Sequence, residues 1–162
     1  MNWRHRIYQA LDSALDIEIE DERYLGDTVQ HRAAAVLIPI TDRAEPGVIL
    51  TQRPTWLRSH AGQVAFPGGK VDPGESPEEA LCREIREELD AEIQVLEIFE
   101  VVFHRYEWGP VLVLAYSCRL LTSAIRNLGV AEHRWIYPSE LPEFSILPAD
   151  QPIIDRLIDL SR

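Results

Sequence analysis

Three glutamates, Glu84, Glu87 and Glu88, stand at i, i+3 and i+4 in the run Arg83-Glu84-Ile85-Arg86-Glu87-Glu88. On a helix that spacing gathers them on one face. Like charges so placed repel, so the cluster costs stability unless something positive sits against it. Oxygen donors at close quarters suit a hard divalent cation such as Mg²⁺ or Mn²⁺. Arg83 and Arg86 offer a second explanation, a solvated face laced with ion pairs. Upstream, Phe66-Pro67-Gly68-Gly69-Lys70 reads as a strand end running into a tight turn. Its glycines let a ligand or metal approach the main chain closely. It is not a Walker loop, which needs Gly where Val64 stands and Ser or Thr where Val71 stands.

The elements around these residues follow from local signals. Ser76-Pro77-Glu78-Glu79 combines a cap, a proline at the first helical position and a capping-box glutamate. It predicts a helix from Pro77 to about Leu89, with Leu81, Ile85 and Leu89 as its apolar stripe. Residues 33–40, 48–52, 91–103, 111–120 and 135–137 read as strands, with His104 to Pro110 as a turn region and 54–65 as a loop. An amphipathic helix is expected over 3–16, an irregular acidic stretch over 17–30, and a last helix from Pro148 through Leu160. Strands interleaved with helices predict an α/β fold, a sheet with helices packed on it.

Gly69, Glu75, Arg83-Glu84-Ile85 and Glu87-Glu88 together form a long pattern of fixed spacing. It resembles the Nudix box, and the chain resembles the Nudix hydrolase family, tightly over 69–89 and more loosely over 31–160. The resemblance implies a Nudix-type α/β/α sandwich with a mixed sheet. It implies one domain over 1–162, with residues 1–30 as a helical extension and 69–91 as the box. Such enzymes hydrolyse a nucleoside diphosphate linked to another group, by metal-activated attack of water on phosphorus. By resemblance, Mg²⁺ (or Mn²⁺) is held by Glu84, Glu87 and Glu88 with the Gly68 carbonyl assisting. Arg83 holds a box carboxylate, and one of the three glutamates, or the later Glu132, takes the proton of the water. Glu75 is expected to anchor the loop, and His5, His31, His104 and His133 default to surface or core positions. One departure stands out: the family has Gly where this chain has Asp90, followed by Ala91. That Gly is a helix stop in left-handed conformation, which Asp tolerates at a cost of about 1 kcal/mol.

Two segments point to different substrates. The stretch from Leu50 to Gly69, with Arg53, Arg58 and His60, resembles the coenzyme A diphosphatase branch. Arg53, Arg58, His60 and Lys70 are candidate substrate-binding cations, suited to a phosphate or diphosphate. Phe103 to Tyr106, Glu132 to Trp135 and Leu147 to Ile154 resemble the MutT-like branch, which removes pyrophosphate from (deoxy)nucleoside triphosphates. Tyr106, Trp108 and Phe144 are candidates to stack on a base. The chain thus reads as a mosaic; an engineered or natural joining of two branches places its junction near residues 62–75. A coenzyme A-type diphosphate is slightly favoured over a triphosphate. A non-catalytic Nudix-fold binding module is the reading from another class, and the intact glutamate cluster disfavours it.

The whole composition sets the outer bounds. With 27 acidic and 16 basic residues among 162, the net charge is −11, which argues against polymeric nucleic acid and anionic membranes as partners. A small nucleotide-type molecule is the expected partner, and a homodimer is left open. Two cysteines, Cys82 and Cys118, make neither a disulfide framework nor a zinc site. The basic start Met1-Asn-Trp-Arg-His-Arg lacks a following apolar run, and no stretch is long enough to span a bilayer, so the cytoplasm is the default location.

Overall fold

Alternation along the strands decides the layers. In the computed structural model, residues 32–39, 47–58 and 60–161 are described, the first stretch by its backbone path. The helix expected over 3–16, the stretch 17–30, His5 and His31 lie outside the described residues. The elements are β1 (Arg32–Pro39), β2 (Val48–Gln52), β3 (Val64–Ala65), β4 (Gly68–Lys70), α1 (Pro77–Leu89), β5 (Ile93–Tyr106), β6 (Gly109–Leu120), β7 (Glu132–Ile136) and α2 (Gln151–Leu160). Short 3₁₀ turns occupy Pro138–Glu143 and Pro148–Asp150.

Successive strand residues face opposite sides. Val48, Leu50, Val102 and Val113 join one core with Leu141, Ile153, Ile154 and Leu157, beneath α2 and the 3₁₀ turns. Ile49, Val101 and Leu114 join the other with Leu81, Ile85 and Leu89 of α1. The result is an α/β/α sandwich. Its strands form two sheets rather than one: a four-stranded sheet ordered β4-β1-β6-β5, and a three-stranded one ordered β3-β2-β7. The first is mixed, because β1 runs parallel to β6 but antiparallel to β4. The second is antiparallel.

Two strand boundaries differ from expectation. His104 and Arg105 are polar, yet they continue β5 by pairing with Val111 and Pro110, and the β5–β6 hairpin closes on Glu107 and Trp108. Gly109, with φ 139°, supplies the backbone bend that the tighter turn needs. β7 begins at Glu132, because Glu132, His133 and Arg134 pair with Gln52, Thr51 and Leu50. Both cysteines are free thiols; Cys118 is buried and its thiol is pushed up to about 12 by burial. Among the described residues, no helix is long and apolar enough to cross a membrane.

Candidate functional site

Helix α1 begins on a complete capping box: the Ser76 hydroxyl accepts from the Glu79 N–H at 3.1 Å, and the Glu79 carboxylate accepts from the Ser76 N–H at 2.8 Å. It ends at Asp90, with φ 50° and ψ 40°, the left-handed stop that the departure at this position predicts. Between these ends, Ala80, Leu81, Ile85 and Leu89 are buried and fix the helix's rotation. That rotation sets Glu84 and Glu88 at the margin of the core, beside β4.

Gly69 explains how closely they approach. A Cβ built there would stand 2.4 Å from the Glu84 carboxyl carbon, so any side chain at this position would displace that carboxylate from where it lies. Glu88 accepts a hydrogen bond from the Gly68 backbone, and its Oε2 is buried without a protein partner. Burial, then the neighbouring Glu84, push its carboxyl up to about 7, against the opposing pull of the Gly68 N–H and Arg53. Glu87 is mostly exposed, 3.5 Å from Arg83.

Arg83 organises the loop that joins β4 to α1. Its Nε and Nη2 donate to the two Glu75 oxygens at 2.9 and 3.1 Å, and Nη2 also donates to the Lys70 carbonyl. Its Nη1 donates to Glu84 Oε1 at 2.8 Å. Glu75 also accepts the Asp72 N–H, and the Arg83 guanidinium holds its carboxyl below the usual range. Glu75 is therefore an anchor of the turn, occupied entirely by protein partners.

The donor chemistry fits a hard divalent cation. Three carboxylates share one helix face, one carries a buried oxygen that lacks a partner, and a hydrogen-only residue makes space beside another. Among the described residues no three acidic or imidazole side chains already converge as a cage. Arg83 draws Glu84 to one side, and Glu87 points outward.

A cavity of about 350 Å³ opens beside the glycine turn. Gly68 and Gly69 form one wall, and Phe66, Val111, Val113 and Leu147 make it apolar. Tyr106 and Trp108 also line it, stacked with centroids 5.0 Å apart and planes within 8°. Arg53 and His60 stand on its wall. They are held by a loop closed on itself: Arg53 N–H donates to Gln63, Gly62 N–H donates to Arg53, and Gln63 N–H donates to His60. His60 has φ 54°, a left-handed conformation uncommon outside glycine and frequent at ligand sites. Arg58 and Lys70 are exposed, and the described wall does not include them.

Sequence reasoning missed Asp150 in this wall. It is 3 % exposed, and burial pushes its carboxyl up to about 7. Its one sequence signal is an acid between Leu147-Pro148-Ala149 and the apolar stripe that begins at Ile153. Glu132 and Phe144 are placed elsewhere. Both line a second cavity of about 200 Å³ with Gln52, Val64 and His133, and Glu132 pairs with Arg134 at 2.9 Å. Phe144 thus stands apart from the Tyr106–Trp108 stack.

Comparison with known proteins gives a family match and likenesses of fold. The profile of the NUDIX domain family matches residues 30–157. A curated relative from Citrobacter koseri, "Uncharacterized Nudix hydrolase NudL", is 50% identical over 78 residues, which is 48% of this chain and 41% of the relative. The chain thus matches less than half the length of that relative. The solution structure of the E. coli ORF135 protein superposes with a TM-score of 0.64 at 28% identity, covering 83% of this chain and 95% of that one. The crystal structure of the MutT protein from Methanosarcina mazei Go1 gives 0.70 at 19% identity, covering 83% and 99%, a likeness of fold.

Proposed function

The chain belongs to the Nudix hydrolases, which act on phosphoric anhydride bonds, and we propose that its substrate is a nucleoside diphosphate of the coenzyme A type. Glu84, Glu87 and Glu88 would hold a divalent cation, Mg²⁺ or Mn²⁺. The observation that carries this is the buried, partnerless Glu88 Oε2 beside Glu84, against the Gly68–Gly69 wall of an apolar cavity.

When bound, the cation neutralises diphosphate oxygens and activates water for attack on phosphorus. The chain's own residues prepare for this. Burial and the neighbouring Glu84 push the Glu88 carboxyl up to about 7, and cation binding would favour its ionised form. Arg83 keeps Glu84 and the Glu75 turn in register. Arg53 offers positive charge, and His60 an imidazole hydrogen-bonding group, to a phosphate in a chain that otherwise repels one. The stacked Tyr106–Trp108 pair and Phe66 offer apolar faces to a base. The water's proton would pass to Glu87 or to another of the three glutamates.

The coenzyme A type is supported by the segment carrying Arg53 and His60, which resembles that branch. One observation favours a (deoxy)nucleoside triphosphate instead. The far wall of the cavity, Tyr106, Trp108, Leu147 and Asp150, comes from the half that resembles the MutT-like branch.

Product analysis separates the two. The chain is incubated with coenzyme A, dGTP, 8-oxo-dGTP, CTP or ADP-ribose, with and without Mg²⁺, and products are identified by mass. The expected products are 3′,5′-ADP and phosphopantetheine, formed only with Mg²⁺. Nucleoside monophosphate plus pyrophosphate would establish the triphosphate reading, and no turnover by folded protein would refute both. Glu88→Gln should slow turnover by about 10³-fold, roughly 4 kcal/mol in the barrier; a near-wild-type rate would remove Glu88 from the site.

A further inference from the structure

The last turn of α1 is held from outside the helix. Helix ends leave carbonyls without intrahelical partners. Here the Leu128 and Gly129 N–H groups both donate to the Glu88 carbonyl, at 2.9 and 3.2 Å, and the Arg126 N–H donates to the Leu89 carbonyl at 3.0 Å. The Arg126 guanidinium also binds the carboxylate of Asp90, the left-handed helix stop, through Nε at 2.6 Å and through Nη2. Gly129 lies so close that a Cβ there would stand 3.2 Å from the Glu87 carbonyl and 3.3 Å from the Glu88 Cα.

The segment is fixed at its far end as well. Asn127 Oδ1 meets His133 Nδ1 at 2.5 Å, Val130 is buried in the core beneath α1, and the Ala131 N–H donates to the Gln52 carbonyl. Residues 126–129 therefore span from the β2–β7 sheet to the turn of helix that carries Glu87 and Glu88. A connecting loop that served only to reverse the chain would not need two amides on one catalytic-turn carbonyl, nor a glycine pressed against that turn.

We propose that Arg126–Gly129 is a strut that positions Glu88, with Arg126 and Gly129 as positioning residues for the candidate metal site. The strut sets the height of the Glu88 backbone against β4, and so the distance at which its carboxylate meets Glu84 and the Gly68–Gly69 turn. Asp90 is part of the same device. A glycine stop would leave Arg126 nothing to grip; the aspartate gives the strut a charged anchor at the helix end. This rests on the reading that Glu88 holds the cation.

The test is Mn²⁺ binding by substrate-free protein, followed by water-proton relaxation, with amide exchange at residues 126–129 as a second readout. Arg126→Ala and Gly129→Ala should each weaken Mn²⁺ binding about tenfold, the scale of losses when an outer support of a metal ligand is removed. Protection of the Leu128 and Gly129 amides should fall with it. Arg126→Lys, which keeps one charged donor, should recover part of the affinity. In an Asp90→Gly background the further change to Arg126→Ala should have little added effect, since the side chain it gripped is gone. Should Gly129→Ala fail to fold, the exposed Arg126 carries the test alone. Wild-type Mn²⁺ affinity in Arg126→Ala, with the wild type itself binding, would overturn the strut but leave the site reading intact. No Mn²⁺ binding by the wild type would overturn both.

Discussion

Burial determines what Asp150 can do in the cavity wall. Its carboxyl has an ordinary value of 3.8 and is pushed up to about 7 by desolvation in the fold. The folded chain therefore holds a proton that the unfolded chain has already lost. The sign follows: stability conferred by the neutral acid is present below about pH 4 and is lost as pH rises towards about 7. The interval corresponds to at most about 4 kcal/mol. Asp150→Asn keeps the neutral shape at every pH. Its stability relative to the wild type should climb between about pH 4 and pH 7 and level off above, in urea unfolding followed across that range. Parallel pH curves would mean that the ionised carboxylate finds compensation in place. Glu88 reaches a similar value by a different route, since a like charge on Glu84 adds to burial.

At the scale of elements, α1 is the part most legible in the sequence. Ser76, Pro77 and Glu79 marked its start by local chemistry alone, and the structure shows both capping-box hydrogen bonds. Asp90 was legible too, because only a left-handed stop explains an acid where glycine is the rule. Ser76→Ala should cost about 1 kcal/mol in denaturant midpoint experiments. It should also raise amide exchange in the first turn of α1 before the rest of the helix. No change in either would show that packing of Ala80 and Leu81 holds that turn without its cap. The β5–β6 hairpin was less legible. His104 and Arg105 have the polarity of a turn, and only the partners Val111 and Pro110 across the ladder keep them in the strand. Cross-strand pairing is a property of two distant segments, and neither segment states it alone.

At the scale of the molecule, the charge of −11 works against compaction, and the site depends on relieving some of it. The melting temperature should rise from low to moderate NaCl by screening. Mg²⁺ should raise it further at equal ionic strength, the added stability being about 2.7 kcal/mol at one hundred times its Kd. Equal melts at matched ionic strength would mean screening alone. The cavity was the least legible feature, for a physical reason. Its wall draws on Arg53, Gly69, Trp108 and Asp150, which no local spacing relates and which meet only when both sheets and the last 3₁₀ turn are in place. That has a kinetic side. β4 joins its sheet only through β1, and the other neighbour of β1 is β6, about eighty residues further along. Closing so long a loop must precede the pairing that rewards it, which places the β1–β6 pairing, and so completion of the sheet, among the late events of folding. During synthesis β1, β4 and the glutamate helix all emerge well before β6 does, and until that strand arrives the carboxylates face a two-stranded edge that no further strand supports.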